Sequence, residues 1–296
     1  MILNVVVSRE GRHLVYSHNV FDSDVWRISL SGKSQEEAQN FISSTRIEFH
    51  AKYSPDGKRI AFESNRSGNN EIWISDANGS NPVQLTAFRN AWAGSPRWSP
   101  DGRKITFDCN AAGTWDIYVI SSQGGKSTRL TTNEANEFRP SWSHDGNWIY
   151  YCSTRTGHGQ VWKLPANGGA EVQVTRRGGY IAFESLSGED LYYTKEHELW
   201  KTPVRGGDEV RVLKSPAEIY FAPAKRGIYF LEDTQSFDNT LSLKFLDYTT
   251  HAIKTIAAIP GPFADDEISV SPDEQWMLYG KTGREGSELM LIENFH

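Results

Sequence analysis

Several things are scarce in this 296-residue chain, and each scarcity closes off a class of function. No run of Lys and Arg exceeds two residues and the formal net charge is -6. A nucleic-acid footprint needs a basic face, so direct DNA or RNA binding by this segment is not expected. No apolar run approaches the roughly 18 residues that would span a bilayer as a helix, and Met1-Ile2-Leu3-Asn4 has neither the basic start nor the cleavage site of a signal peptide. The segment therefore reads as soluble. No stretch of ten or more residues carries a 3.6-residue apolar period, although Ser34 to Ile42 could form a short helix or loop excursion. The Gly-x-Ser-x-Gly elbow of serine hydrolases is missing. Eight histidines show no His-x-x-x-His or His-Glu-x-x-His spacing, so no metal site is expected, and one would have to be assembled from distant parts of the chain.

What the chain has in quantity is repetition. Tyr53-Ser54-Pro55-Asp56-Gly57 precedes Ile60-Ala61-Phe62, Trp98-Ser99-Pro100-Asp101-Gly102 precedes Ile105-Thr106-Phe107, and Trp142-Ser143-His144-Asp145-Gly146 precedes Ile149-Tyr150-Tyr151. Equivalent turn positions fall at Gly11, Gly57, Gly102, Gly146, Gly188, Gly227 and Glu274, spaced 39 to 47 residues apart by subtraction. That is the length of one four-stranded propeller blade. Two copies, around Gly188 and Gly227, keep the strand-turn-strand rhythm and lose the Pro-Asp pair. Within the second repeat, Ala51–Ser54, Ile60–Glu63, Glu71–Ser75 and Val83–Thr86 read as strands a to d, with turns at Asp56-Gly57 and Asp76 to Ser80. The reading is all-β: a seven-bladed propeller in one domain, with blades near 4–45, 46–91, 92–136, 137–177, 178–217, 218–262 and 263–296. Ten tryptophans, recurring once or twice per repeat, are expected to pack one blade against the next.

The only cysteines, Cys109 and Cys152, lie near the ends of second strands in neighbouring repeats. Alignment of Phe107 with Tyr151 offsets them by one residue, so they should face opposite ways as two free thiols. Two short motifs read as turns. Gly124-Gly125-Lys126-Ser127 has Ile120 where a phosphate loop needs its first Gly. Asp76-x-Asn78-x-Ser80 has Asn81 and Ala87 where a calcium loop needs Gly and Glu.

The Pro-x-Trp-Ser-Pro-Asp-Gly-x-x-Ile pattern, followed by Asp/Glu-Ile-Trp/Tyr and a Gly-Gly or Asn-Gly turn before Leu-Thr, resembles the WD40-like or PD40 repeats of TolB-type propellers. The resemblance covers almost the whole chain. It implies a fold more than a function, because this repeat is shared by binding proteins, peptidase accessory domains and a few enzymes, among them metal-dependent lyases. A narrower resemblance, carried by Phe41–Phe49, Ser64–Gly68, Gly94–Gly102 and Leu289–Phe295, is to the C-terminal propeller of bacterial, especially acidobacterial, regulators with an N-terminal winged helix. That likeness implies a sensory or interaction role in a longer protein.

Closure poses a problem of strand supply. The seventh repeat offers strand a at Ile268–Ser271, b at Trp276–Tyr279 and c at Glu288–Ile292, and Val5–Ser8 reads as strand a of the first blade. The last blade is thus expected to lack its outer strand, which residues upstream of Met1 would have to donate.

In a propeller the d-to-a and b-to-c loops converge on one mouth of the central channel, the default place for function. The candidates there are Arg46, Glu48, His50, Arg89, Trp92, Glu137, Arg139, Arg177, Tyr180, Tyr220, Asp266 and Glu267. Interleaved Arg, carboxylate and aromatic side chains suit a protein, a peptide or a small polar ligand, and they equally suit ion pairs between blades. Arg66 and Arg155 recur at one loop position and are expected to be structural ties, to Glu71 or Asp116. No catalytic residue and no cofactor is expected. The leading reading is a non-enzymatic binding propeller; the alternatives are a propeller enzyme, lyase or peptidase-associated, and a TolB-like envelope scaffold.

Overall fold

The computed structural model describes residues 2–10, 12–31, 38–214, 220–233, 239–264 and 267–293, and the side chains of these apart from 2–4, 17–21 and 284–289. Among the described residues every regular element is a strand. In chain order they are β1 (Ile2–Val7), β2 (His13–Ser29) and β3 (Gln39–Ile42); β4 (Glu48–Tyr53), β5 (Arg59–Ser64), β6 (Glu71–Asp76) and β7 (Val83–Gln84); and β8 (Ala93–Trp98), β9 (Lys104–Cys109), β10 (Asp116–Ser121) and β11 (Thr128–Arg129). They continue with β12 (Glu137–Trp142), β13 (Trp148–Ser153), β14 (Gln160–Pro165) and β15 (Val172–Gln173), then β16 (Ala182–Glu184), β17 (Asp190–Lys195), β18 (Glu198–Pro203) and β19 (Val210–Leu213). The last are β20 (Tyr220–Pro223), β21 (Gly227–Asp233), β22 (Leu241–Asp247) and β23 (Ile253–Ile259), then β24 (Ser269–Val270) and β25 (Trp276–Glu293).

Each group of four from β4 to β23 is an antiparallel sheet in sequence order, one propeller blade. The second strands are buried on both faces, as at Ile60-Ala61-Phe62 and Ile149-Tyr150-Tyr151-Cys152, because each sheet is covered by a neighbour on either side. The fourth strands lie at the rim of the disc and expose Val83, Val172, Val210 and Ile253.

The Ser-Pro-Asp-Gly turns follow one hydrogen-bond plan. Ser Oγ donates to the Asp two residues on, at 2.6 Å from Ser54, Ser99 and Ser143 and 2.5 Å from Ser271. The same Oγ accepts the backbone N–H five residues on, from Arg59, Lys104, Trp148 and Trp276. Those bonds hold the carboxylates of Asp56, Asp101, Asp145 and Asp273 below their usual range. Gly57, Gly102 and Gly146 take φ of 68°, 68° and 72°, the left-handed region that a residue without Cβ enters at low cost.

The sixth sheet corrects the expected count. Strand order is β1-β2-β25-β24, with β3 also on β2, so the first and seventh repeats share one sheet. Its blade portion takes strands a and b from β24 and the first part of β25, and strands c and d from the later part of β2 and from β3. Seven repeats therefore form six blades among the described residues. The shortfall expected in the last blade does not arise, because Gln39–Ile42 supplies its outer strand; of the helix or loop excursion expected over Ser34 to Ile42, these four residues are strand, and residues 34–37 lie outside the described residues. The physical reason is register: β2 and β25 pair from Ser29↔Trp276 to His13↔Glu293, with one shift between Phe21 and Ser23, so their free edges satisfy each other. Beyond the blade this ladder runs on, with β1 added at its side, as a three-stranded extension.

Cys109 and Cys152 are free and buried in different inter-blade layers, and burial pushes both thiols up to about 12.

Candidate functional site

In three consecutive blades the innermost strand breaks its ladder at the same point. Pairing jumps from Phe49 to Lys52 in β4, from Gly94 to Arg97 in β8 and from Phe138 to Ser141 in β12. The third residue of each strand has left-handed φ, 52° at His50, 51° at Ser95 and 57° at Arg139. A bulge of this kind re-aims side chains, and a non-glycine residue held at positive φ costs of order 1–3 kcal/mol that the surrounding structure must offset.

The re-aimed groups meet across the channel. Arg139 of the third blade lies with Nη1 2.7 Å from His50 Nε2 of the first and 3.1 Å from Glu267 Oε1, which precedes the sixth. Blades that are not neighbours can touch in this way only through the ring's centre. His50 Nδ1 is 3.0 Å from Glu63 Oε2, and the other oxygen of Glu63 accepts from Asn70 Nδ2 at 2.7 Å and from Trp92 Nε1. Lys52 Nζ donates to the Glu267 carbonyl at 2.8 Å and stands 3.8 Å from its carboxylate, on which Arg97 also closes. Three cations from three blades thus converge on one carboxylate that is 2% exposed.

A guanidinium can only donate, so His50 Nε2 accepts from Arg139 and its proton sits on Nδ1, donated to Glu63. Burial, then Arg139, Lys52 and Arg97, hold the His50 pKa well below the ordinary value. The ring is therefore neutral near pH 7 despite Glu63 beside it. Asp108, buried and receiving the Arg139 backbone N–H at 2.8 Å, is pushed up by burial.

Around this polar plug, on the loop side, aromatic rings pair blade by blade. Trp92 meets Trp115 at 6.0 Å, Phe138 meets Tyr180 at 5.2 Å and Tyr220 meets Phe263 at 5.2 Å between centroids. Trp92 and Tyr180 remain 45% and 42% exposed, large rings facing solvent at the mouth.

The structure sorts the predicted residues into three groups. His50, Trp92, Arg139 and Glu267 are brought together, with Tyr180 and Tyr220 on the rim. Arg46, Arg89 and Arg177 are exposed on the surrounding loops. Glu48 and Glu137 are not at the mouth: both are fully buried within their blades, Glu48 on Arg66 Nη2 at 3.0 Å and Glu137 on Arg155. Arg66 and Arg155 are the structural ties expected of them, but their partners open strand a of the same blade, in place of Glu71 or Asp116. Asp266 lies outside the described residues.

Lys52, Arg97, Glu63, Asn70 and Asp108 were missed. A sign of two of them was present: Lys52 and Arg97 each stand immediately before the strand-ending aromatic, a charged residue in an otherwise interior strand.

The opposite end of the channel, among the Ser-Pro-Asp-Gly turns, holds a cavity of 470 Å³. Lys52 and Arg97 form its floor, and its walls include Trp98, Trp142, Phe183 and Phe221. Trp98 Nε1 donates to the Lys52 carbonyl at 3.0 Å and Trp142 Nε1 to the Arg97 carbonyl at 3.2 Å, so each ring is fixed to the preceding blade. The turns therefore also shape a binding-sized space.

Residues 87–203 match the family PD40, described as the TolB beta propeller domain. Among curated proteins no sequence match is found. A TolB-type structure from Agrobacterium tumefaciens is 21% identical, with 96% of this chain and 91% of that one covered and a TM-score of 0.53. TolB from Acinetobacter baumannii is 14% identical over 90% of this chain and 65% of that one, with a TM-score of 0.60. A chain of a nidogen/laminin complex is 11% identical over 90% and 98%, with a TM-score of 0.64. Such identities establish shared fold. Residues 87–203 thus match the TolB beta propeller domain model, and the chain as a whole shares the propeller fold of these structures.

Proposed function

We propose that this propeller is a non-enzymatic binding module that holds a protein segment or a small polar ligand at its loop mouth, as the sensory or interaction half of a larger bacterial regulator. The observation that carries the reading is the collar of paired aromatics, with Trp92 and Tyr180 exposed, over a plug whose Arg139, His50, Glu63 and Glu267 hold one another in place. Exposed Trp and Tyr beside Arg are the residue types that dominate binding energy, and a pre-paired floor need not be ordered when a partner arrives.

Selection of a displayed random-peptide library on the whole chain tests the site. Selected peptides are expected to lose about tenfold or more in affinity on Trp92→Ala or Tyr180→Ala. Peptides indifferent to both changes would remove the mouth as the binding face. The regulator part is tested by the coding sequence upstream of this segment: a winged helix supports it, whereas a secretion signal points instead to an envelope scaffold.

A further inference from the structure

The cavity at the turn end of the channel is separate from the aromatic mouth. Its rim is made by one residue per blade, the position after the turn Ser: Pro55, Pro100, His144, Leu186, Lys225 and Pro272. All six are exposed. A Cβ on Gly57 would lie 3.6 Å from Pro272, on Gly102 3.8 Å from Pro55, on Gly146 3.7 Å from Pro100 and on Gly188 3.5 Å from His144, so these turns rest on the rim residue of the blade before.

Six serines, two glutamates and three cations stand in the wall, and what a ligand meets there depends on whether they are already engaged. Ser54, Ser143 and Ser271 donate to the Asp of their own turn, and Ser185 pairs with Ser187 Oγ at 3.0 Å. Ser141 donates to the Ala182 carbonyl at 2.6 Å, and Ser269 Oγ accepts the Tyr53 N–H at 3.1 Å. Glu184 accepts from Tyr150 Oη at 2.6 Å on one oxygen and from His144 N at 2.7 Å on the other. Glu274 accepts from Lys225 N at 2.8 Å, while Lys225 Nζ donates to the Pro272 carbonyl at 3.0 Å. At the base Lys52 and Arg97 close on Glu267, and buried Asp108 also faces Arg97. The polar side chains of the wall are held by the protein itself, with charges of both signs among them.

The apolar side chains are what a guest would meet. Trp98, Trp142, Phe183 and Phe221 come from four consecutive blades and converge on the space. These rings are fixed in advance: both indole N–H groups are bonded, Phe183 meets Phe221 edge to face at 5.2 Å, Arg59 lies over Trp98 at 4.7 Å and Arg97 over Phe183 at 4.9 Å. Leu186, 47% exposed, stands at the opening, where three other blades carry Pro. The volume lies in the roughly 300–1,000 Å³ range of small-ligand sites.

We propose that this cavity binds a small uncharged aromatic molecule, its ring among Trp98, Trp142 and Phe183 and its outer edge against Leu186. Ring-to-ring contact and removal of apolar surface from water supply the affinity, and walls already in place need little ordering. A charged group of either sign is disfavoured, because it gives up its water for counter-ions that are engaged with one another.

The test is calorimetric titration of the whole chain near neutral pH with 2-naphthol, 2-naphthoate and 2-naphthylmethylamine, one ring system in uncharged, anionic and cationic form. 2-Naphthol is expected to bind saturably at one site, and each ion at least about fivefold more weakly. Leu186→Glu, a rim change that leaves the core untouched, is expected to weaken 2-naphthol by about fivefold or more, and Trp92→Ala to leave it unchanged. Absence of saturable 2-naphthol binding, an ion that binds within that margin, a smaller effect of Leu186→Glu, or loss of binding on Trp92→Ala each overturns the proposal. Since Trp92→Ala disturbs only the loop mouth, failure here and failure of the peptide-binding reading are told apart.

Discussion

His50 shows how one side chain acquires its chemistry from its neighbours. A histidine whose folded pKa is depressed leaves the unfolded chain as the better proton acceptor below about 6.5, so its contribution to stability is present above that pH and is lost as the pH falls through the window beneath it. For His50→Gln, which stays neutral, urea midpoints between pH 7 and pH 5 should fall less steeply than the parent's, by at most about 1.4 kcal/mol per pH unit. An identical slope would mean that His50 titrates normally. Glu267 makes the complementary case. Glu267→Ala leaves Lys52, Arg97 and Arg139 facing one another in a buried space, with an expected loss of about 3–5 kcal/mol in urea unfolding; an unchanged midpoint contradicts the network. At this scale the sequence supplied His50, Arg139 and Glu267 but not their partnership, because a contact such as Arg139 to Glu267 joins residues 128 positions apart.

Among the elements, the Thr that recurs after Leu85, Leu130 and Val174 at the end of strand d finds its explanation. Thr86, Thr131 and Thr175 each accept, at 2.9 Å, the backbone N–H of Ile72, Ile117 and Val161 in the neighbouring strand c. The short fourth strands have only two paired residues in these blades, and the hydroxyl extends the ladder by one bond. Thr131→Val keeps the shape and removes the acceptor, so thermal unfolding should show a loss of about 1–3 kcal/mol, while the same change at an exposed site such as Thr128 should show little. The motif was visible in the sequence as a recurrence, as was the turn chemistry of Ser, Asp and Gly, because both act within one repeat. The bulges at His50, Ser95 and Arg139 were not visible, since none of the three is the glycine that usually announces a positive φ.

For the whole molecule the decisive feature is closure. Strands from the two ends of the chain pair side by side, so the ring is held by hydrogen bonds between β2 and β25 and by the core that Ile28, Leu30, Met277 and Tyr279 share with the neighbouring blade. Removal of residues 1–45 takes strands c and d from the closing blade and leaves β25 as an open edge. Such a truncated chain is expected to melt at lower temperature and less cooperatively, or to aggregate; a melting curve like the parent's would show that closure contributes little.

The sequence by itself determined the all-β class, the propeller, the four-strand order of the regular blades and the plan of the turns. These are properties of a repeat of some 45 residues, in which alternation, turn glycines and capping hydroxyls act over short distances. Only the tertiary structure decided that seven repeats make six blades, that Glu48 and Glu137 turn inward while Arg139 and Glu267 meet across the channel, and that the turns rim a cavity of 470 Å³. Each of these depends on which edges pair when the ring closes and on what faces what across its axis, and neither is written in the spacing of residues within a repeat.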